Sequence, residues 1–531
     1  MDLARTRAEQ QALGRRKDLG GRDEGHHGPR GASRLARAGR HVRCLLWYRR
    51  VVSTSIAPSP VLARELAAIV GPEGVVADLA ARTVYECDGY TLARAVPDLV
   101  VLPRSTDETA RVLRAAWRAG VPFVPRGAGT GLSGGCLAAP ARLVVCTSRM
   151  RTVRAIDVPN RRMTVEAGVV NAEVSRAVRE AGLYYAPDPS SQNACTIGGN
   201  VAENSGGPHT LKYGVTTNHV LAVELVLPDG EVVPLGDGVD DGLGYDLTGV
   251  VCGAEGTMGI VTAATLRLMP LPESVVTMLA VFATVAEATA TVSAIIAAGI
   301  VPAALEMMDR TIVAAVEAAF RVGFPTDAGA VLIIEIDGDA AGLPAAAERI
   351  EGLCRRHGAR EVRRAAGEAE RAVLWKSRKR AFGAVGRLSP SYCTQDGVVP
   401  RTRLPEILVR IAAVAARYGL RIGNVFHAGD GNIHPIVLYD ERDPEEAARA
   451  LAAGRDILRA CLELGGSVTG EHGIGVEKMT ELALAFGPDD LALMRRVRGV
   501  FDPEERANPG KIFPTPGGCV EQRAPRRRAA L

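Results

Sequence analysis

The chain has 531 residues, 47% of them hydrophobic and 23% charged, with a formal net charge of +4. That length exceeds one ordinary core and predicts at least two domains, and so small a net charge excludes a global field that would recruit nucleic acid. Ten cysteines are scattered without a C-x-x-C pair. Their spacing excludes a zinc ribbon, a thioredoxin motif and a ferredoxin-type cluster within the chain, and fits a reducing, cytoplasmic setting.

Residues 1–57 are rich in Arg and Gly and carry almost no apolar periodicity, the composition of a disordered extension. Two readings are open for it. It is a basic tail that touches RNA or anionic lipid, or it lies upstream of a translation start near Val51; the second is preferred. It lacks the apolar run of a secretory signal. Order begins at Pro58. "PVLARELAAIV" has helical spacing, and "DLVVLP" (98–103) is a short apolar strand. "STDETARVLRAAWRAG" carries a capping box, Ser105 with Glu108, and stops at Gly120. "VPFVP" (121–125) is the next strand, so a β–α–β unit leads into a glycine-rich loop.

That loop, "PRGAGTGLSGG" (125–135), contains a literal G-x-G-x-x-G at Gly129, Gly131 and Gly134. A dinucleotide fingerprint of the Rossmann type must open a helix. Here Pro140 interrupts and "RLVVCT" reads as a strand, so no helix is launched. The Lys-Ser/Thr of a P-loop is also missing. What remains is a loop between strands whose amides can crowd onto a phosphate, with Arg126 adding charge. A second stretch (184–216) is rich in Gly, Asn, Ser and Pro and shows neither helical nor strand period. A third (244–270) sets Gly253, Gly256 and Gly259 around Glu255 before a clear strand. Three such loops point to one large, extended, polyanionic cofactor. The uncharged run 288–305 reads as a buried helix ending near Gly299 and a strand from Ile300, rather than a membrane span.

In the second half, "NVFHAGDGNIHPIVLYD" (424–440) reads as strand, turn, strand, bringing His427 and His434 to one end of a hairpin. "GGSVTGEHGIGVEKM" (465–479) offers Glu471 and His472. Two imidazoles and a carboxylate suit a zinc-like divalent ion. On spacing alone this stays open against a turn that is simply polar.

Together, "PRGAGTGLSGG", "PDPSSQNACTIGGNVAENSGG" and "GAEGTMGIVT" resemble the FAD-binding domain of the vanillyl-alcohol-oxidase-like flavoproteins. The nearest branch holds the FAD-binding subunit of bacterial glycolate oxidase and the D-lactate and D-2-hydroxyglutarate dehydrogenases. The resemblance runs from about Pro58 to Pro514. It implies an α+β chain: a two-lobed FAD domain of the p-cresol methylhydroxylase (PCMH) type over 58–270, a substrate domain with an antiparallel sheet over 271–515, and a basic tail over 516–531. By resemblance, Arg126, Gly127, Gly129, Thr130, Gly131, Ser133 and Gly134 line the pyrophosphate. Pro187, Asp188, Gly198, Gly199, Asn200 and Asn204 fall in the flavin-side loop. Glu255, Gly256 and Ile260 fall in the last FAD motif, and Asn508 of "ANPGKIFP" returns to the FAD region. Thr130 stands where histidine-linked members carry the linking residue, which implies non-covalent FAD. "HAGDGNIHP" and "GEHGIG" match metal motifs of the D-2-hydroxy acid dehydrogenases. His427, His434 and Glu471 then map onto ligands of a Zn, Mn or Fe ion, His472 onto the base and Asn432 onto a substrate contact.

The implied reaction oxidises a small D-2-hydroxy acid, glycolate or D-lactate, to the 2-oxo acid, with D-2-hydroxyglutarate as the alternative substrate and a non-catalytic FAD subunit as the alternative role. The substrate carboxylate needs a guanidinium. Arg378 is the first choice and Arg401 the second, with Lys379 and Arg380 read as a solvated helix face. Without a cysteine cluster, electrons are expected to leave to a separate iron–sulfur subunit, a quinone or a cytochrome. No transmembrane segment is expected, attachment to the inner membrane face would run through that partner, and a homodimer is left open.

Overall fold

Ser59 opens the first helix, α1 (Pro60–Val70), by accepting a hydrogen bond from the Leu62 amide at 3.1 Å, with Pro60 in the first turn where its missing N–H costs nothing. Leu62, Leu66 and Val70, four residues apart, form its buried stripe. This computed structural model describes residues 57–239 and 244–514. All but the last residue of the predicted extension, the start near Val51 and the basic tail lie outside the described residues.

Helix α2 (Thr106–Arg118) is capped as the sequence predicts on one arm only. The Ser105 hydroxyl accepts from the Glu108 amide, but the Glu108 carboxylate reaches back one residue further, to the Arg104 amide at 2.8 Å. Gly120 follows in the left-handed region at φ 67°. Helices α1 and α2 cover a four-stranded sheet of β1 (Val75–Val76), β2 (Leu99–Val101), β3 (Phe123–Arg126) and β4 (Leu143–Cys146), ordered β1-β2-β4-β3. Strand β4 lies between β2 and β3 and runs parallel to both. The glycine-rich loop and the segment after it, 127–142 in all, therefore make the crossover from β3 to β4, and no helix intervenes.

A second sheet is antiparallel: β5 (Val153–Asp157), β6 (Arg162–Glu166), β8 (Val220–Val226), β9 (Val232–Leu235) and β10 (Ile260–Arg267), ordered β5-β6-β10-β8-β9. Strands β7 (Leu183–Tyr184) and β11 (Met269–Pro270) form a small ribbon. The stretch 184–216, read as irregular, contains helix α3 (Ile197–Glu203). Its first turn holds Gly198 and Gly199, poor helix formers that hide it from a periodicity test. A Cβ at Gly198 would stand 2.7 Å from that of Ala167, so the glycine lets the helix close onto the end of β6.

From β12 onward the strands join one eight-stranded antiparallel sheet: β12 (Ser274–Phe282), β13 (Ala304–Asp309), β14 (Ala330–Gly338), β15 (Glu361–Arg364), β16 (Ser391–Thr394), β17 (Gly397–Val398), β18 (Arg421–His427) and β19 (Asn432–Tyr439). The order is β15-β12-β14-β13-β18-β19-β16, with β17 also on β19. Both faces are buried. Met278, Ala280 and Phe282 pack under helices α4 (Val285–Ala297), α6 (Leu343–Arg356), α8 (Leu404–Tyr418) and α9 (Pro444–Glu463). The alternate residues Leu279 and Val281 pack under α5 (Arg310–Phe320) and α7 (Glu368–Lys379). Each fully buried large aliphatic contributes roughly 1.5–3 kcal/mol. The run 288–305 splits later than the sequence predicts: β13 starts at Ala304 because Pro302, without an N–H, extends the connection.

Candidate functional site

A cavity of about 380 Å³ is walled by the glycine-rich loops at one end and by β16, α7, the β18–β19 hairpin and the Glu471 loop at the other. Of the residues mapped onto FAD contacts, Arg126, Gly127, Gly129, Thr130, Gly131, Gly198, Gly199, Asn200, Glu255, Gly256 and Ile260 line it. A Cβ at Gly127 would meet the Thr196 hydroxyl at 2.5 Å, and that hydroxyl has no hydrogen-bond partner among the described residues. The cradle is thus a glycine-rich strip, with no room for a Cβ at Gly127, beside an unsatisfied donor, which fits a phosphate-bearing cofactor. Arg126 is in the wall, yet its guanidinium is directed to the Cys87 carbonyl at 2.9 Å and the Cys136 thiol at 3.3 Å. It braces the loop and lends charge.

The other mapped FAD residues stand behind the wall as supports. The Ser133 carbonyl accepts from the Val476 amide at 2.9 Å, and a Cβ at Gly134 would strike Val476, so the glycine-rich loop is backed by the chain after Glu471. The Pro187 carbonyl accepts from Asn171, Asn204 accepts from the Thr217 amide, and Asp188 pairs with His209 at 3.0 Å and Lys379 at 3.1 Å. Asn508 donates to the carbonyls of Gly135 and Glu255 at 2.8 and 2.7 Å, tying two glycine-rich loops together. Nearby Lys511 donates to the Leu137 and Ala139 carbonyls, and burial pushes its ammonium down to about 8. Glu255 accepts from the Ile474 and Gly475 amides at 2.6 and 2.7 Å. Burial raises the carboxyls of Glu255 and of Glu203, the latter also through the charge of Glu255.

At the other end, register does the assembly. Glu306 on β13 pairs with His427 on β18, and His427 pairs with Asn432 on β19, so one row crosses three strands. His434 lies two residues along on the same face. Glu471 Oε1 stands 3.1 Å from His427 Nε2 and 3.2 Å from His434 Nε2. The far nitrogen of His427, Nδ1, is 2.7 Å from Glu306 Oε1, the carboxylate backing typical of a metal-bound imidazole. His472 stacks on His434 with ring centres 4.9 Å apart. Burial opposes charge on His427, but Glu306 and Glu471 outweigh it and hold this histidine well above its ordinary value. Burial pushes His472 down to about 4. Glu471 stays well below the usual carboxylate range despite burial, held there by His427 and His434. A second donor group, Asp396 with His434 and His472, is equally close-set. The oxygens of Asp396 are already occupied by protein donors, so the His427, His434 and Glu471 set fits a divalent ion better.

Arg378 lines the cavity, is 1% exposed, and sits 2.6 Å from Glu306 Oε2. None of its guanidinium nitrogens has a hydrogen-bond partner among the described residues. Arg401 is elsewhere: it donates to the Gly429 carbonyl at 3.1 Å and braces the hairpin turn, outside the cavity walls. Asn432 is also behind the wall, its amide donating to Asp396 and Gly397. Lys379, read as a solvated face, instead lines the cavity and pairs with Asp188. Sequence reasoning missed Glu306 and Asp396. The signal for Glu306 was present as a lone acid in "ALEMMD", an otherwise apolar strand, where a buried charge needs a partner.

Residues 271–512 match the C-terminal domain family of the FAD linked oxidases, and residues 97–236 match an FAD binding domain family. The chain is 45% identical over 437 residues to the glycolate oxidase subunit GlcD of Escherichia coli (strain K12), covering 82% of this chain and 88% of that protein. The chain belongs to the FAD-linked oxidases. Within them it is also 33% identical over 428 residues to a D-lactate dehydrogenase of Anaerostipes hadrus, over 79% of this chain and 90% of that one. The crystal structure of p-cresol methylhydroxylase with substrate bound shares the fold, with a TM-score of 0.73 over 85% of this chain and 96% of that one at 16% identity. This FAD-linked oxidase is an FAD-dependent hydroxy acid oxidoreductase, and FAD is its cofactor.

Proposed function

We propose that this FAD-linked oxidase converts a small D-2-hydroxy acid, glycolate or D-lactate, to the 2-oxo acid with the help of a divalent ion. The observation that carries the reading is the shared end of the cavity, where the Arg378 guanidinium, ion-paired with Glu306, lines the wall together with His427, His434, Glu471 and His472. Arg378 holds the substrate carboxylate, and Glu306 holds Arg378 and His427 in one ion-paired row. His472 takes the hydroxyl proton at Nε2, which lies 3.8 Å from Glu471 Oε1 and so faces the same ligand set. A zinc, manganese or iron ion, bound by His427, His434 and Glu471, would supply the Lewis acid that lowers the pKa of the substrate hydroxyl. Bound FAD supplies the acceptor for the hydride, and the protein positions the substrate carbon against it. With Thr130 in the wall instead of histidine, FAD is held without a covalent bond.

The walls favour a short monoacid over a diacid. Phe382 and Tyr392 are among the cavity's lining residues and add no charge, and the cation next to Arg378 in the wall, Lys379, is paired with Asp188. GlcD is a subunit by name. By analogy, electrons leave this chain to a separate iron–sulfur subunit, a quinone or a cytochrome. Among the described residues no helix is long and apolar enough to cross a membrane, so attachment to the inner face of the membrane would run through that partner. The test is a panel of glycolate, D- and L-lactate, D-malate and D-2-hydroxyglutarate with an artificial dye acceptor, with and without chelator. We expect turnover of glycolate and D-lactate, lost on chelation and restored by a divalent ion. A preference for D-2-hydroxyglutarate would overturn the substrate assignment, and indifference to thorough metal removal would overturn the role of the ion.

A further inference from the structure

The loop that carries Glu471 and His472 has no helix or strand of its own between residues 468 and 478. Consecutive amides in such a buried segment need acceptors, since an unpaired buried N–H costs about 1–3 kcal/mol. One side chain supplies them. Asp396, which is 0% exposed, accepts from the Gly470 amide at 3.0 Å, the Glu471 amide at 3.3 Å and the His472 amide at 2.9 Å. It also accepts from the Thr469 hydroxyl at 2.6 Å and from the Lys478 ammonium at 3.1 Å. Successive amides turned toward one point form an anion nest. Here the protein's own carboxylate fills it, and Lys478, itself fully buried, balances the charge.

The other side of Asp396 is tied to the hairpin. Asn432 donates to Asp396 Oδ1 at 2.7 Å, and Asn432 is the register partner of His427. A Cβ at Gly470 would lie 2.1 Å from the Asn432 amide nitrogen, so the loop and the hairpin close without space for a side chain between them. The row therefore runs from His427 to Asn432, to Asp396, and on to the amides of Glu471 and His472. We infer that Asp396 is the positioning residue that sets Glu471 and His472 against His427 and His434. It touches neither substrate nor ion and acts through the loop backbone. The inference rests on the proposed roles of Glu471 as a ligand and His472 as the base.

Asp396→Asn keeps the shape but replaces one acceptor oxygen with a donor facing other donors. In the holoenzyme we expect the rate of flavin reduction by D-lactate, followed by stopped-flow bleaching, to fall about 10–100-fold, the range for residues that orient a metal site from behind. KM for D-lactate should stay within about threefold, because Arg378 is untouched, and zinc affinity should fall by at least about tenfold. FAD per chain should stay near one, while the melting temperature falls because the buried Lys478 ammonium loses its counter-charge; a merely structural defect would lower FAD content along with it. A folded variant that keeps both its reduction rate and its zinc affinity within about threefold of wild type overturns the inference. A wild-type protein that binds no zinc and ignores chelator overturns the metal reading instead, and the fall in reduction rate then still tests Asp396 through His472. Should Asp396→Asn fail to hold FAD, Thr469→Val removes one of the hydrogen bonds alone. A reduction rate at least about fivefold lower supports the inference, and an unchanged rate overturns it.

Discussion

Two histidines that composition cannot tell apart are separated by their surroundings. His427 lies between two carboxylates, Glu306 and Glu471, while His472 stacks on His434 and has no partner at Nδ1 among the described residues. Their alanine variants should fail differently. His427→Ala removes a proposed ligand and leaves Glu306 and Glu471 facing each other across the gap, so bound metal and turnover should fall together while FAD stays near one per chain. His472→Ala should keep metal and FAD and slow flavin reduction by about 10²–10⁴, the usual contribution of a general base. Metal analysis and stopped-flow reduction on both variants check this, and metal lost from His472→Ala but kept by His427→Ala would reverse the roles. That His427, His434 and Glu471 come within ligating distance of one another was legible through the motifs' resemblance, since on spacing alone the three stay open against a polar turn. The residues that orient them were not. Glu306 and Asp396 lie 121 and 36 residues from their partners His427 and Asn432, and only strand register or a closed loop brings them near. Arg401 and Asn432 show the converse. Each has the right chemistry in the right segment, and the hairpin uses both for its own geometry.

At the scale of elements, the glycine-rich loop was readable as a non-Rossmann crossover because Pro140 and the strand β4 follow it. Helix α3 was not, because glycines chosen for close approach erase helical periodicity. The same distinction between freedom and proximity gives a paired prediction. Gly129 and Gly182 both have φ 71°. A Cβ at Gly129 would meet the Arg126 guanidinium, and one at Gly182 would meet nothing within 4 Å. Each alanine should lose about 1 kcal/mol or somewhat more for its left-handed backbone. Gly129→Ala should in addition displace Arg126 and crowd the cavity wall, lowering the ratio of bound FAD to protein, whereas Gly182→Ala should keep a full complement of flavin at a slightly lower melting temperature. Flavin absorbance against protein concentration, with thermal melts, decides it. Equal flavin loss in the two would mean that the loop fails through backbone strain alone and that the contact with Arg126 is incidental.

At the scale of the whole molecule, the cavity is lined from both halves of the chain, so whatever fixes their contact fixes the candidate site. Glu335 on β14 is nearly fully buried and collects Arg371 through two nitrogens at 2.9 Å, Trp375 at 2.7 Å and His209 at 3.3 Å. His209 belongs to the FAD-binding half and bonds Asp188 there with its other nitrogen at 3.0 Å. Arg371, Trp375 and the cavity residue Arg378 lie along one face of α7, at spacings of four and three. The latch thus connects the loop of Asp188 to the helix that presents Arg378. Burial disfavours a charged His209, yet Asp188 and Glu335 raise it to about 10. The sign of the pH effect follows. A histidine whose folded value lies above its unfolded value of about 6.5 contributes stability that is complete below that value and is lost as pH rises through about 10. Asp188 is held down to about 2, chiefly by His209 and Lys379 against the effect of burial, so its contribution is present above about 3.8 and lost only as pH falls through about 2. The alkaline side is therefore where His209 should show. We expect the melting temperature of the holoenzyme to decline between pH 7 and 10, and His209→Gln to be less stable at pH 7 with a visibly flatter decline over that interval. Gln keeps one hydrogen bond, while Asp188 and Glu335 retain Lys379 and Arg371 as counter-charges, so the variant should still fold and hold FAD. Its KM for D-lactate should rise as α7 loosens. Parallel melting curves for the two proteins from pH 7 to 10 would show that His209 is not charged in the folded state and that the halves are held by packing rather than by this latch.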